Sequence, residues 1–215
     1  HSEKVIFYVA TRGHHADIGG TVPGSAPANS SHVKEEGILI DNFTLVAKGV
    51  FLEKEIYDLL GSGDFPARNI QQNIADLKAQ VAAAEKGSQE LLKVIKNYGL
   101  EVVHAYMKHV QDNAEEAVRR VIDTLTDGVF EYRTDYGALI KVALTIDHAA
   151  RTARIDFTGT SDQQANNFNA PSAICVAATL YVFRTLVDDD IPLNAGCLKP
   201  LDIVIPEGCM LNPAY

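Results

Sequence analysis

The chain has 215 residues, 47% of them hydrophobic and 22% charged, enough apolar mass for one sizeable core, or one domain with a subdomain, and outside the disordered range. A net charge of −9 repels phosphate backbones and argues against nucleic acid as a partner. No secretory signal opens the sequence, and no run of about 20 apolar residues is present to span a bilayer.

Val5-Ile6-Phe7-Tyr8-Val9-Ala10 reads as a short strand buried on both faces. Residues 11–31 hold four glycines and two prolines and read as a long irregular loop of the functional kind. Glu36 to Ile40 and Leu45 to Phe51 are further β-like stretches. Asp64-Phe65-Pro66 offers a cap and a proline for a helix start, after which Ile70, Ile74, Leu77, Val81 and Ala84 recur at helical spacing. Gly87 is expected to stop that helix. Ser88 opens a second, closed at Tyr98-Gly99, and a third, amphipathic helix runs from about Leu100 to Leu125.

Strands return after Gly128. Ile140, Val142, Leu144 and Ile146 alternate with less apolar residues, and with Arg154 to Thr158 they predict a β-hairpin. A polar loop over 159–169, a helix from Pro171 to Val187 and a strand from Leu201 to Ile205 complete the chain. The predicted class is α+β: mixed strands with a long helical insertion in the middle. The expected divisions are a strand-rich part over 1–60, a helical part over 64–126 and a strand/helix part over 128–215. The sequence enters its first strand within a few residues and ends in a loop, so an internal fragment of a longer protein is expected.

Arg12-Gly13-His14-His15-Ala16-Asp17-Ile18-Gly19-Gly20 concentrates two imidazoles and a carboxylate on a glycine-flanked loop. Glycines allow backbone shapes that turn side chains inward. His and Asp suit a divalent ion that polarises a carbonyl or activates water. The alternative is that these groups are exposed or hydrogen-bonded. Glu35-Glu36-Gly37 could supply a general base or an orienting carboxylate, or else a solvated acidic turn. Asp156-Phe157-Thr158-Gly159-Thr160-Ser161, running into Asn169-Ala170-Pro171, could cradle an amide or carboxylate, or serve turns and caps.

Cys175, Cys197 and Cys209 form no CxxC and read as reduced thiols of a cytoplasmic protein. Cys197 lacks a nearby base and is a poor nucleophile candidate. His104 and His109 miss the i, i+4 spacing of a helical metal pair. No phosphate-binding loop of the GxxxxGK[ST] kind is present, so any ATP binds elsewhere.

Taken in this order, the His-His-Ala-Asp-Ile-Gly-Gly string, Pro23-Gly24-Ser25, Glu35-Glu36-Gly37, Asp156-Phe157-Thr158-Gly159-Thr160, Asn169-Ala170-Pro171, Asn194-Ala195-Gly196 and Pro206-Glu207-Gly208 resemble the hydantoinase B/5-oxoprolinase family along essentially the whole chain. The resemblance implies ATP-dependent opening of a cyclic amide such as 5-oxoproline or a hydantoin. A hydantoinase A-like ATPase subunit or domain would phosphorylate the carbonyl oxygen, with ATP and Mg held there. It implies His14 as one ligand of a divalent Zn, Mn or Fe; on the residue reading above, catalytic roles are expected for His15, Asp17 and Glu36, and substrate contacts at Thr158, Thr160 and Asn169. The other family ligands lie upstream of the 13 residues that precede His14. The metal site is therefore expected to be incomplete, and this piece alone inactive. A homo- or hetero-oligomer without membrane contact is expected. The related ketone carboxylases share the motifs, and a non-catalytic assembly module is the third reading.

Overall fold

The computed structural model describes residues 4–214, which divide at Gly99/Leu100 into two compact units. In the first unit a one-turn helix α1 (Val33–Glu36) precedes a minimal hairpin of β1 (Val46–Ala47) and β2 (Val50–Phe51), then α2 (Glu53–Leu60) and α3 (Ile70–Tyr98). The hairpin turns at Lys48-Gly49, both at positive φ, as a tight two-residue connection requires. Ile56, Leu60, Ala67 and Ile74 form the core of this unit, with Phe43, Leu45, Phe51, Leu59, Ile70 and Leu77 packed around them. The apolar stripes of α2 and α3 supply most of that core.

The second unit begins with α4 (Leu100–Ile122) and continues with β3 (Gly128–Arg133), β4 (Leu139–Asp147), β5 (Thr152–Asp156), α5 (Ser172–Leu186), a short 3-10 helix (Ala195–Leu198) and β6 (Leu201–Val204). The sheet order is β3-β4-β5-β6. The first two pairings are antiparallel and β5–β6 is parallel, with Ile155 opposite Ile203. A parallel pair needs a crossover, and α5 provides it. Ala114, Ala117, Val118 and Ile122 of α4 pack with Ala153 and Ile155 of β5 and Phe183 of α5. Gly196 lets the 3-10 helix approach α4, since a Cβ there would lie 2.0 Å from the Gln111 carbonyl oxygen. All three cysteines are free and buried.

The α+β class, the hairpin of β4 and β5, the helix α5 and the strand β6 match the sequence expectation. Five local expectations need correction. Residues 5–10 form no strand. They lie along α3, where Ile6, Phe7 and Val9 help to line a groove of about 450 Å³ with Val81, Leu91 and Ile95. Nor are they buried on both faces, since Val5, Ile6 and Tyr8 are exposed; an apolar run alone supplies neither a covering layer nor the ladder partner that a strand needs. Residues 36–40 likewise form no strand, although the Ile38 N–H donates to the Ile18 carbonyl at 2.9 Å.

Gly87 does not stop a helix: α3 runs unbroken for 29 residues. A helix-interior glycine is a penalty of only about 1 kcal/mol, and here it makes room, because a Cβ would sit 3.0 Å from Val9 Cγ1. Ser88 opens no new helix; its hydroxyl donates to the Ala84 carbonyl within the same one. The cap of α3 is Asn69, whose side chain accepts from the Gln72 N–H, not Asp64.

Candidate functional site

Asp17 organises the histidine loop. Its Oδ1 accepts from the Gly19 N–H at 2.9 Å and the Arg68 N–H at 3.3 Å. Its Oδ2 accepts from the Gly24 N–H and from Arg68 Nη1, both at 2.9 Å. Burial raises the Asp17 pKa, but the three backbone donors and the Arg68 guanidinium together outweigh it and hold the carboxyl at about 2. Arg68 also donates through Nη2 to the Gly20 carbonyl at 2.7 Å. Gly19 and Gly20 both have positive φ. A Cβ on Gly19 would lie 2.2 Å from the Phe65 carbonyl oxygen, and one on Gly20 2.7 Å from that of Glu35. Glycine is required there for conformation and for space together.

The two imidazoles diverge. His14 is exposed. His15 turns toward α3, with its side chain 16% exposed and its Nδ1 3.4 Å from Asp76 Oδ2. Asn73 Nδ2 lies 3.5 Å from the same ring nitrogen and donates to the Asp17 carbonyl at 2.8 Å. Asn73, Asp76 and Gln80 are spaced three and four residues apart, so they share one face of α3. Gly13 allows the loop to close on that face, because a Cβ would fall 2.0 Å from Gln80 Nε2.

The Glu35 and Glu36 side chains are engaged at the start of their own helix, α1. Glu35 Oε2 accepts from the Ser31 and His32 N–H groups at 2.7 and 3.0 Å, closing a capping box. Those donors lower its pKa. Glu36 accepts a short hydrogen bond from the Ser30 hydroxyl.

In the second unit, the Thr158 N–H donates to Asp156 Oδ1 at 2.9 Å, and Thr158 itself is exposed. The Thr160 hydroxyl is engaged on both sides by Lys141: it donates to the carbonyl and accepts from the N–H, each at 3.1 Å. Asn169 clamps its own loop. Its Oδ1 accepts from the Gln164 N–H, and its Nδ2 donates to the carbonyls of Gln164 and Asn166. Thr160 and Asn169 thus act in turn chemistry, and Thr158, though exposed, also gives its side chain to Asp156.

Residues 1–215 match the Hydantoinase B/oxoprolinase family model from end to end. The chain belongs to that family. It is 43% identical over 230 residues to the 5-oxoprolinase of Dictyostelium discoideum, covering 100% of this chain and 17% of that relative. The hydantoinase B/oxoprolinase chain therefore spans about a sixth of the relative's length. Its fold is that of the ATP-dependent caprolactamase from Pseudomonas jessenii (TM-score 0.76, 23% identity, 94% of this chain and 35% of that one). It is also that of nucleotide-free acetone carboxylase (TM-score 0.78, 16% identity, 94% and 28%).

A divalent metal is not accommodated by the side chains described. Among the described residues, no group of three or more His, Cys, Asp or Glu is gathered where it could hold an ion. His14 offers one ligand, and both Asp17 oxygens are already engaged. Three residues of this hydantoinase B/oxoprolinase chain were not singled out from sequence: Arg68, Asn73 and Asp76. Asn73 carries the one available signal, a polar residue beside Ile74 at the buried phase of α3.

Proposed function

We propose that the chain is part of an ATP-dependent cyclic amide hydrolase that opens 5-oxoproline or a hydantoin. The 43% identity to a 5-oxoprolinase along the full chain is the observation that carries this reading. ATP would be bound and turned over by a hydantoinase A-like subunit or domain, which activates the amide carbonyl oxygen. The chain's own contribution is the loop at 13–20.

His15 is the candidate base. With Nδ1 facing Asp76, Nε2 is the ring nitrogen left to take a proton from water as its oxygen attacks the carbonyl carbon. The adduct on the phosphorylated carbonyl then breaks its ring C–N bond, the nitrogen taking up a proton, and the resulting acyl phosphate is hydrolysed by a second water to the carboxylate and inorganic phosphate. Asp17, held at about 2, is a weak base whose role is to hold the loop around His15. Glu36 is engaged by the Ser30 hydroxyl beside α1, which leaves it no contact with His15 on which to base a proton-transfer role. Within the second unit taken by itself, Thr158 is a candidate for binding a polar group, with Thr160 and Asn169 shaping the loops beside it. His14 is retained as a single candidate ligand for Zn, Mn or Fe, and no step is routed through a metal.

In the full-length enzyme, His15→Asn should lower 5-oxoproline-dependent ATP turnover and ring opening by about 10²-fold or more, with the protein still folded. Full activity in that variant would remove His15 as the base. A ketone carboxylase is the second reading, favoured by the shared fold with acetone carboxylase. ATP turnover that depends on a ketone plus bicarbonate, and not on a cyclic amide, would establish it instead.

A further inference from the structure

The polar stripe on α3 has no part in the core of the first unit, and it carries an oddity. Asn73 is 3% exposed. Its Oδ1 is the only buried side-chain nitrogen or oxygen without a hydrogen-bond partner among the described residues. The amide cannot simply turn over to relieve this, because Nδ2 donates to the Asp17 carbonyl at 2.8 Å and a flip would set two acceptors against each other. An orphaned buried acceptor in an otherwise satisfied fold is characteristic of a place where geometry is held for another purpose.

That geometry surrounds His15. Asn73 fixes the Asp17 carbonyl, two residues along the chain, and sets its amide edge 3.5 Å from the ring. Asp76 faces Nδ1 at 3.4 Å. An ionised carboxylate only accepts, so this contact favours a proton on Nδ1 and leaves the lone pair on Nε2. Asn73 Nδ2 cannot donate to a protonated Nδ1, which agrees with its bond to the Asp17 carbonyl instead.

We propose that Asn73 and Asp76 are positioning residues that lock His15 in its Nδ1–H tautomer, Asp76 by accepting that proton and Asn73 by fixing the loop that carries the ring. Its relevance to ring opening rests on His15 acting as the base; the tautomer does not.

The test uses the 215-residue chain labelled with ¹⁵N-histidine. Long-range ¹H–¹⁵N correlation spectra are recorded where the rings are neutral, and His15 is assigned by loss of its signals in His15→Gln. The expected wild-type pattern is Nδ1–H with unprotonated Nε2. Asp76→Ala should move the ring toward the Nε2–H form that free imidazole side chains favour. Asp76→Asn, whose carbonyl can still accept, should restore the wild-type pattern. Asn73→Ala should reduce the Nδ1–H population, with the backbone amide spectrum of α3 reporting that the helix persists. A wild-type ring in the Nε2–H form, or a pattern unmoved by Asp76→Ala, would overturn the proposal.

A second readout separates it from the functional reading. In the full-length enzyme, Asp76→Ala should lower kcat roughly 10- to 100-fold with little change in KM. A tautomer shift with kcat unchanged would keep the positioning and remove His15 as the base.

Discussion

Asp17 illustrates how one side chain can look catalytic and act structurally. A carboxylate next to two histidines suggests a base or a ligand, yet its oxygens face three backbone N–H groups and a guanidinium. Its pKa of about 2 lies below the ordinary 3.8. A group with a depressed folded-state value stabilises the fold fully above its unfolded pKa, and that contribution disappears as pH falls through the folded one. Asp17 should therefore stabilise the first unit by on the order of 2 kcal/mol at neutral pH, with the loss falling between about pH 4 and pH 2. Asp17→Asn should lower stability at pH 7 by that order and flatten this part of the acid limb, as measured by urea denaturation across pH. Equal stability of the two proteins at pH 7 would show that the carboxylate charge does not hold the loop.

At the scale of elements, α3 carries two stripes with different tasks. Ile70, Ile74 and Leu77 belong to the core, whereas Asn73 and Asp76 face the histidine loop. The apolar stripe was legible from its spacing. The polar one was not, because polar residues between apolar ones ordinarily mean a solvated face. Glycine at 87 was misleading for a related reason: its meaning depends on a neighbour distant in sequence, Val9. Since residues 5–10 are in no sheet, the Val9 methyl can shift by the few tenths of an ångström an added Cβ requires. Gly87→Ala should then raise stability by about 0.5–1 kcal/mol through helix propensity, read as a higher urea midpoint. A lower midpoint would mean that residues 5–10 are rigidly seated against α3.

At the scale of the whole molecule, each unit closes its own core, and all three thiols lie in the second, at 0–7% exposure. Burial pushes the Cys175 thiol up to about 11, with Cys209 adding to the shift. Cys175 is therefore a poor nucleophile, and Cys197 and Cys209 are buried away from reagents. An aromatic disulfide reagent should leave Cys175, Cys197 and Cys209 unmodified in the native protein and react with all three in denaturant. Fast native modification of Cys197 would contradict this packing. Among the described residues, no helix is long and apolar enough to cross a membrane.

The sequence alone determined the α+β class, most helices and strands of the second unit, the histidine-aspartate loop and the family, because periodicity, glycine placement and short motifs are local properties of the chain. Only the tertiary structure decided that Asp17 belongs to Arg68, that His15 turns inward while His14 stays exposed, that Thr160 and Asn169 hold loops, and that residues 5–10 lie along α3. Each of those outcomes depends on which groups meet across dozens of residues, and hydrogen-bond saturation and close packing are set by that meeting.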